Sequence, residues 1–297
     1  AKKAGLADGR SYRVRARRSD KSFPYISPEI ERRVGARIGA ATGGSVDLSK
    51  NADVEIGVEV HRSRALVFGQ TIPAPGGLPL GTQGRVVALL SSGIDSPVAA
   101  WLMMKRGCGV IPVHFAANQA QAEQVEEIVS ALNRYAFGFQ LRPIMLSHHD
   151  ELDPILERLR LVRAERWTCL FCKRALLARA STIASEMDAS ALVTGDSLGQ
   201  GASQTLSNLE VISYGINKPI LRPLIGYDKT EIVAMARQIG TYEASVQRAF
   251  ACPFLPDKPL TQGSIPKLLD LLDRMDAASD PAGASTSVKD PRMHAHV

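Results

Sequence analysis

The chain has 297 residues, of which 45% are hydrophobic and 22% charged, and its net charge is +6. This length predicts about two domains, and without an unbroken apolar run of about 18 residues we expect no membrane-spanning helix and no membrane partner. The first residues lead into no apolar stretch, which argues against a signal peptide. Four cysteines are too few for a disulfide scaffold. They indicate a cytoplasmic protein in which paired cysteines serve metal or redox chemistry.

The positive charge is concentrated at the start of the chain. Residues 1–40 contain eleven lysines and arginines against four acidic residues. The stretch Arg13-Val14-Arg15-Ala16-Arg17-Arg18 alternates as a strand does, so Arg13, Arg15 and Arg17 share one face. Such a face can follow a phosphate backbone without reading its sequence. We interpret Arg13, Arg15, Arg17 and Arg18 as RNA-binding residues, with a solvated edge strand as the alternative.

Residues 1–72 have the pattern of a small α+β domain. Ser27-Pro28-Glu29 begins a helix that we expect to end near Thr42, and alternation predicts paired strands over 54–60 and 65–69. Prolines and glycines then mark residues 73–84 as a linker.

Strands alternate with helices over residues 85–276. We expect strands over 86–90, 110–115, 141–146 and 191–194, and helices over 97–106, 120–135, 151–165, 173–187 and 264–275. Another helix should run from the capping box at Asp228 to Gln238. This alternation predicts an α/β domain with a doubly wound parallel sheet. Residues 277–297 are predicted to be a disordered tail.

The segment from Leu89 to Pro97 joins an apolar strand to a helix, with Ser96 as the expected N-cap. Such a junction presents free N–H groups and the positive end of a helix dipole to an anion. Ser91 and Ser96 add hydroxyl groups, while Asp95 beside an anion indicates pyrophosphate with Mg²⁺ or a role in orienting the loop. The pattern is neither a Walker A motif nor Gly-x-Gly-x-x-Gly.

This loop resembles the Ser-Gly-Gly-x-Asp-Ser loop of PP-loop ATP pyrophosphatases, which form adenylated intermediates. Together with Gly76–Pro79, Thr194–Gln200 and Leu221–Gly226, it makes residues 10–265 resemble the tRNA 4-thiouridine synthetases, or ThiI-type sulfurtransferases. The resemblance implies the adenine nucleotide alpha hydrolase-like fold, preceded by part of a THUMP RNA-binding domain. From the resemblance we expect the archaeal-like form without a rhodanese domain, and we expect the chain to be a fragment that begins inside THUMP.

The resemblance also implies an ATP site. Its residues would be Leu89, Leu90, Ser91, Ser92, Gly93, Asp95, Ser96, His114, Phe115, Lys173, Gly195 and Gln204. Ser92 stands where the family has glycine, so we expect backbone strain if that position needs a positive φ.

Three cysteines form a separate candidate site. Cys169-Leu170-Phe171-Cys172 lies at a predicted helix start, where thiolates are stabilised, and Cys252 follows later in the chain. The residues alone leave three uses open: an iron–sulfur cluster, a persulfide or disulfide relay at Cys252, and structural zinc. The resemblance to archaeal members favours a [4Fe-4S] cluster held by all three. We expect Cys108 to be a buried structural thiol.

We therefore expect an ATP- and Mg²⁺-dependent tRNA sulfurtransferase in which Asp95 and Cys252 are catalytic. It would adenylate O4 of a tRNA uridine, uridine 8 by resemblance, and replace that oxygen with sulfur from sulfide or a cysteine desulfurase persulfide. In a homodimer, the RNA module of one subunit would serve the other's active site. The alternatives are sulfur transfer to a carrier protein for thiazole in thiamine biosynthesis, and a non-catalytic tRNA-binding protein.

Overall fold

The computed structural model describes residues 10–248 and 252–279. The chain divides into two compact units, Ala1–Pro75 and Gly76–Val297, at a point within the segment expected to be the linker. Among the described residues, no helix is both long enough and apolar enough to cross a bilayer.

From residue 10 onwards, where it is described, the first unit is a four-stranded sheet with one helix packed on it. Its elements are β1 (Ser11–Arg18), α1 (Ser27–Thr42), β2 (Ser45–Val46), β3 (Val54–Val60) and β4 (Ala65–Phe68). The strand order is β2-β1-β3-β4, in which β1 pairs in parallel with β2 and β3 while β4 is antiparallel to β3. Tyr12 and Val14 of β1 pack with Ile30 of α1, and the Tyr12 hydroxyl donates to the Gly35 carbonyl at 2.7 Å.

The second unit alternates strands and helices, as expected. Its strands are β5 (Arg85–Leu89), β6 (Gly109–Ala116), β7 (Ile144–Ser147), β8 (Ala191–Val193) and β9 (Ile220–Leu221). Its helices are α2 (Asp95–Lys105), α3 (Gln119–Asn133), α4 (His148–Leu161), α5 (Thr168–Glu186), α6 (Leu206–Ser213), α7 (Lys229–Ile239), α8 (Tyr242–Val246) and α9 (Ile265–Ser279).

The five strands form one parallel sheet in the order β7-β6-β5-β8-β9. One core, which includes Val98, Val129 and Ile232, packs α2, α3 and α7 on one face, and a second core packs α4, α5 and α9 on the other. The predicted doubly wound sheet is therefore confirmed. From β5 the chain winds outwards to β6 and β7 and later returns to β8 on the other side. Ligands in such sheets bind beyond the strand ends at this switch point.

Several boundaries differ from those expected. Helix α5 begins five residues early, at Thr168, and α9 continues to Ser279, three residues into the segment expected to be disordered. The rest of that segment lies outside the described residues. Cys108 is buried, as predicted.

Candidate active site

The loop after β5 is closed by its own serines. The Ser91 N–H donates to Ser96 Oγ at 2.8 Å, and the two hydroxyl oxygens are 3.0 Å apart. Helix α2 begins at Asp95, so the prediction that Ser96 caps it is wrong: the Ser96 hydroxyl holds the start of the loop instead. No side chain of the described structure caps α2. Its first N–H groups are therefore available to an anion.

Ser92 causes no backbone strain. Among the described residues, the non-glycine positions with positive φ are Arg163 and Asp188, so the strain expected at Ser92 is absent. The loop carbonyls are held from behind, because Gln124 Nε2 donates to the Ser92 carbonyl and Ser245 Oγ donates to the Gly93 carbonyl, both at 3.4 Å. A loop whose carbonyls are bonded away from the site can turn its N–H groups towards a ligand.

Gly195 lies directly against the start of α2. A Cβ at this position would be 2.6 Å from Ser96 N and 2.7 Å from Ser96 Cα. Both atoms belong to the backbone and cannot rotate away. Gly195, which follows β8, therefore allows the backbone after this strand to pack against the start of α2.

A cavity of about 280 Å³ opens at the ends of β5, β6 and β8. It is lined by eight of the predicted residues: Leu89, Leu90, Ser91, Ser92, His114, Phe115, Lys173 and Cys252. It is also lined by residues outside the predicted set: Ala117, Gln121, His148, Leu176, Leu177, Thr194, Asp196, Ile212 and Pro253. The predicted residues that do not line it are Gly93, Asp95, Ser96, Cys169, Cys172, Gly195 and Gln204. The phosphate loop, Lys173 and Cys252 thus share one cavity.

His114 has a hydrogen-bond acceptor, Nε2, that is unpaired within the described part of the chain, and the residue lies in the cavity wall. Its Nδ1 is 2.8 Å from the Leu90 carbonyl oxygen, which can only accept, so Nδ1 carries the hydrogen. Burial lowers the pKa of His114 more than this hydrogen bond raises it, so the ring is neutral. Nε2 is buried and has no hydrogen-bond partner among the described residues. Buried acceptors are normally paired, so this atom suits a ligand that donates an N–H.

Lys173 is held by a buried carboxylate. Its Nζ is 2.8 Å from Asp196 Oδ1, while the Thr194 hydroxyl and Arg222 Nε donate to Asp196 Oδ2 at 2.7 and 3.4 Å. Burial alone would raise the pKa of Asp196. The charge and hydrogen bond of Lys173, the hydrogen bond of Thr194 and the charge of Arg222 together outweigh burial and lower the pKa of Asp196 below its usual value. The Asp196 carboxylate is therefore ionised at neutral pH.

Asp95 has a partner that the sequence analysis missed. Lys229 Nζ lies 2.5 Å from Asp95 Oδ1, although the two residues are far apart in the chain. Lys229 is the first residue of α7, after Asp228, whose N–H donates to Glu231 Oε2 as the predicted capping box requires. A cation is unfavourable at the positive end of a helix dipole. That unfavourable position is the signal by which Lys229 could have been found.

The CxxC cysteines lie at the start of α5, as predicted, but not as thiolates. Burial raises the pKa of Cys169 and raises that of Cys172 to about 12, and nearby Lys173 offsets only part of the effect. The expectation that this helix start stabilises thiolates is therefore wrong. Cys172 Sγ instead lies 3.2 Å from His148 Nε2.

Cys252 is exposed and lies in the cavity wall. The segment that carries it contacts the start of α4, because the Phe254 ring packs edge-on against His148 and His149 with centroids 4.8 and 4.9 Å apart. Within residues 10–248 and 252–279, no group of three or more His, Cys, Asp or Glu side chains is placed to hold a metal ion. Cys252 is nevertheless near Cys169 and Cys172, because its charge contributes, after burial, to the raised pKa of both thiols.

In the first unit, the predicted arginines of β1 differ in their surroundings. Arg15 and Arg17 are exposed, and the structure gives them no hydrogen bond or ion pair with a described residue. Arg13 forms an ion pair with Glu55 and donates to the Ser49 carbonyl at 2.9 Å, and Arg18 donates to the Phe23 carbonyl at 3.0 Å. Arg15 and Arg17 are thus the members of the set whose charges are least compensated.

Comparison with known proteins finds one matching family for each of the two units. Residues 81–275 match the family described as "Thiamine biosynthesis protein (ThiI)", and residues 1–69 match the THUMP domain. The chain is 43% identical over 251 residues to a probable tRNA sulfurtransferase of Methanocaldococcus jannaschii, and 46% identical over 253 residues to one of Thermococcus kodakarensis. These alignments cover 84% and 85% of this chain, but only 65% and 66% of the relatives.

Two solved structures are also similar. A crystal structure of a 4-thiouridine synthetase–RNA complex with bound ATP has a TM-score of 0.77 and 34% identity, and the match covers 97% of this chain and 76% of that one. The crystal structure of PH1313 from Pyrococcus horikoshii has a TM-score of 0.53 and 28% identity, covering 81% and 68% of the two chains.

Proposed function

The chain belongs to the ThiI family of thiamine biosynthesis proteins, and on that premise we propose that it is an ATP-dependent tRNA sulfurtransferase. It would adenylate O4 of a tRNA uridine and replace that oxygen with sulfur to give 4-thiouridine. Relatives named as tRNA sulfurtransferases, and a similar synthetase solved with RNA and ATP, support the proposal.

One observation carries this proposal most directly: Ser91, Lys173 and Cys252 line the same cavity. The first belongs to a loop suited to phosphate, the second is a cation and the third is an exposed thiol. An anion site and a sulfur nucleophile in one cavity are what adenylation followed by sulfur transfer requires.

In the first step, the loop N–H groups that are not bonded within the loop, together with those at the start of α2, would bind the phosphates of ATP. The Ser91 and Gly93 N–H groups are already bonded to serine hydroxyls of the loop. Uridine O4 attacks the α-phosphorus, the bond to the β-phosphate oxygen breaks, and pyrophosphate leaves. Lys173, and Lys229 released from Asp95, would offset the charge that develops on that pyrophosphate. The neutral Nε2 of His114 would accept an N–H of the adenine amino group.

In the second step, a sulfur nucleophile attacks C4 of the uridine and AMP leaves with the former O4. We assign the sulfur to a persulfide at Cys252, because that thiol faces the cavity. Its outer sulfur would come from the persulfide of a cysteine desulfurase, and after this sulfur attacks C4 a second thiol would attack Cys252 Sγ, so that 4-thiouridine leaves and Cys252 remains in a disulfide. Sulfide, the alternative donor, would attack C4 directly. The other source is a [4Fe-4S] cluster, which Cys169, Cys172 and Cys252 would hold. Iron and sulfide analysis of anaerobically purified protein distinguishes the two.

Mg²⁺ fits this site only as a companion of ATP. Mg²⁺ is usually bound by one or two carboxylates together with phosphate oxygens and water. Asp95 is the carboxylate within the loop, and its side chain is 25% exposed. It would hold the ion, and the ion when bound would supply positive charge beside the pyrophosphate.

RNA binding belongs to the first unit in this proposal. Arg15 and Arg17 are exposed and form no hydrogen bond or ion pair with a described residue, so their charges would follow the tRNA backbone. The target base must leave its stack to reach a cavity, at the expense of part of the binding energy. We place the reaction at uridine 8 of tRNA and in the cytoplasm.

The direct test is mass spectrometric measurement of 4-thiouridine in tRNA from cells that carry the wild-type chain, Asp95→Ala or Cys252→Ala. We expect 4-thiouridine with the wild type and its loss with either variant. Normal thiolation with either variant would reject these assignments, and a chain that binds tRNA but no ATP would indicate a non-catalytic RNA-binding protein.

A second candidate follows from the family description, which names thiamine biosynthesis. The same adenylation and sulfur transfer would act on the C-terminus of a sulfur-carrier protein that supplies thiazole. AMP formation that depends on such a carrier protein, and not on tRNA, would favour this candidate.

A further inference from the structure

Two basic side chains share one buried carboxylate at the wall of the cavity. Asp196 is 6% exposed, and its two oxygens contact Lys173 Nζ at 2.8 Å and Arg222 Nε at 3.4 Å. Asp196 and Lys173 line the cavity, whereas Arg222 reaches the carboxylate from behind. Arg222 follows β9, and its Nη2 is anchored 2.9 Å from Ser213 Oγ.

The three charges do not cancel. One carboxylate faces two cations, so the cluster has a surplus of one positive charge in a partly buried place where water screens weakly. Without Arg222, Asp196 and Lys173 would form a neutral pair. The cavity wall would then offer no net charge to an anion.

We propose that Arg222 neutralises Asp196 and thereby leaves the ammonium charge of Lys173 available to the phosphates of a nucleoside triphosphate. The inference rests on the proposed function, because it takes ATP as the ligand. Arg222 is a positioning residue that acts through Asp196, and it does not touch the nucleotide. Asp196 fixes the orientation of the Lys173 side chain, while Arg222 prevents the Asp196 carboxylate from cancelling the charge of Lys173.

The test compares the dissociation constants of ATP for variants with different net charge at the cluster, measured by isothermal titration calorimetry. Arg222→Gln removes the surplus charge, so ATP should bind about tenfold more weakly or worse. Arg222→Lys keeps the charge and should bind ATP nearly as the wild type does. Asp196→Asn raises the surplus by one charge while keeping an acceptor oxygen for Lys173, so ATP should bind at least as tightly.

The double variant Asp196→Asn with Arg222→Gln is the decisive one. It restores a surplus of one positive charge, and its ATP affinity should return to within about threefold of the wild type. Arg179→Gln is the matched control, because Arg179 does not line the cavity and pairs with Glu151 of α4 at 3.5 Å. It should leave ATP binding unchanged.

A double variant that binds ATP no better than Arg222→Gln would overturn the inference. An Arg222→Gln variant that binds ATP as tightly as the wild type would also overturn it. So would a tenfold loss of ATP affinity in Asp196→Asn, because that loss would mean that Asp196 acts only by placing Lys173. If circular dichroism shows that Arg222→Gln does not fold, the ATP affinities of Arg222→Lys and Asp196→Asn still test the inference. A wild-type chain that binds no ATP overturns the proposed function, whereas ATP binding that is insensitive to these charges overturns this inference alone.

Discussion

Lys229 Nζ lies 2.5 Å from Asp95 Oδ1, which joins the first residue of α7 to the first residue of α2 across the phosphate loop. The Lys229 side chain is 50% exposed, so it can leave the carboxylate for an incoming phosphate. In the proposed mechanism, Asp95 would hold the magnesium ion and Lys229 would face the pyrophosphate.

The first prediction concerns Lys229→Ala. Removing a cation that stabilises a developing phosphate charge should lower AMP formation in the presence of tRNA by about 100-fold. ATP affinity should change less, because the loop N–H groups remain. The measurement is AMP release under single-turnover conditions. Lys267→Ala removes an exposed lysine from the first turn of α9 and should leave the rate unchanged. A Lys229→Ala enzyme within threefold of the wild type would contradict the role.

The second prediction concerns Gly195→Ala. The new Cβ would lie within 3.0 Å of backbone atoms of Asp95 and Ser96, so the start of α2 must shift and ATP binding should be lost. Calorimetric titration with ATP measures this, and circular dichroism checks that the chain is folded. Gly226→Ala is the matched control, since its Cβ would meet no atom within 4 Å. Equal ATP affinity of the two variants would show that the close approach does not matter.

Much of the fold was predictable because its signals are local. The alternation of β1 and β3, the apolar runs of β5 and β6, and the capping box at Asp228 each mark their own element. The strands β2 and β9 have two residues each, too few for any periodic pattern.

The site was predictable only in part. The loop and Lys173 could be placed from motifs, whereas Lys229 and Arg222 act across the fold through contacts that no local pattern records. The pKa of Cys172 was misjudged because a helix start favours thiolates while burial, which the sequence did not reveal, opposes them more strongly.

The third prediction is a pH dependence of stability. The pKa of Asp196 is lowered in the folded chain, so its stabilising effect is present above the unfolded pKa of about 3.9 and is lost as the pH falls through the lower folded value. Asp196→Asn should therefore reduce the free energy of unfolding at pH 7 by about 1–3 kcal/mol. Urea unfolding of both proteins should show this difference shrinking below about pH 4. A difference that does not change with pH would contradict the assignment.

The fourth prediction concerns RNA binding by the first unit. Replacing Arg15 and Arg17 together by alanine should weaken tRNA binding. If each arginine neutralises one phosphate, the slope of the logarithm of the tRNA association constant against the logarithm of the salt concentration should become less steep by about 1–2. Arg13→Ala should have a smaller effect, because Arg13 is already paired with Glu55. Filter binding at several salt concentrations gives both slopes. An unchanged slope in the double variant would place the RNA contacts elsewhere.

The central claim is that this chain activates a tRNA uridine with ATP, and tRNA-dependent ATP–pyrophosphate exchange tests it most directly. With unmodified tRNA, labelled pyrophosphate should be incorporated into ATP, and this incorporation should disappear when tRNA is omitted or when Asp95 is replaced by alanine. Exchange that proceeds without tRNA, or that requires a sulfur-carrier protein in its place, would contradict the claim.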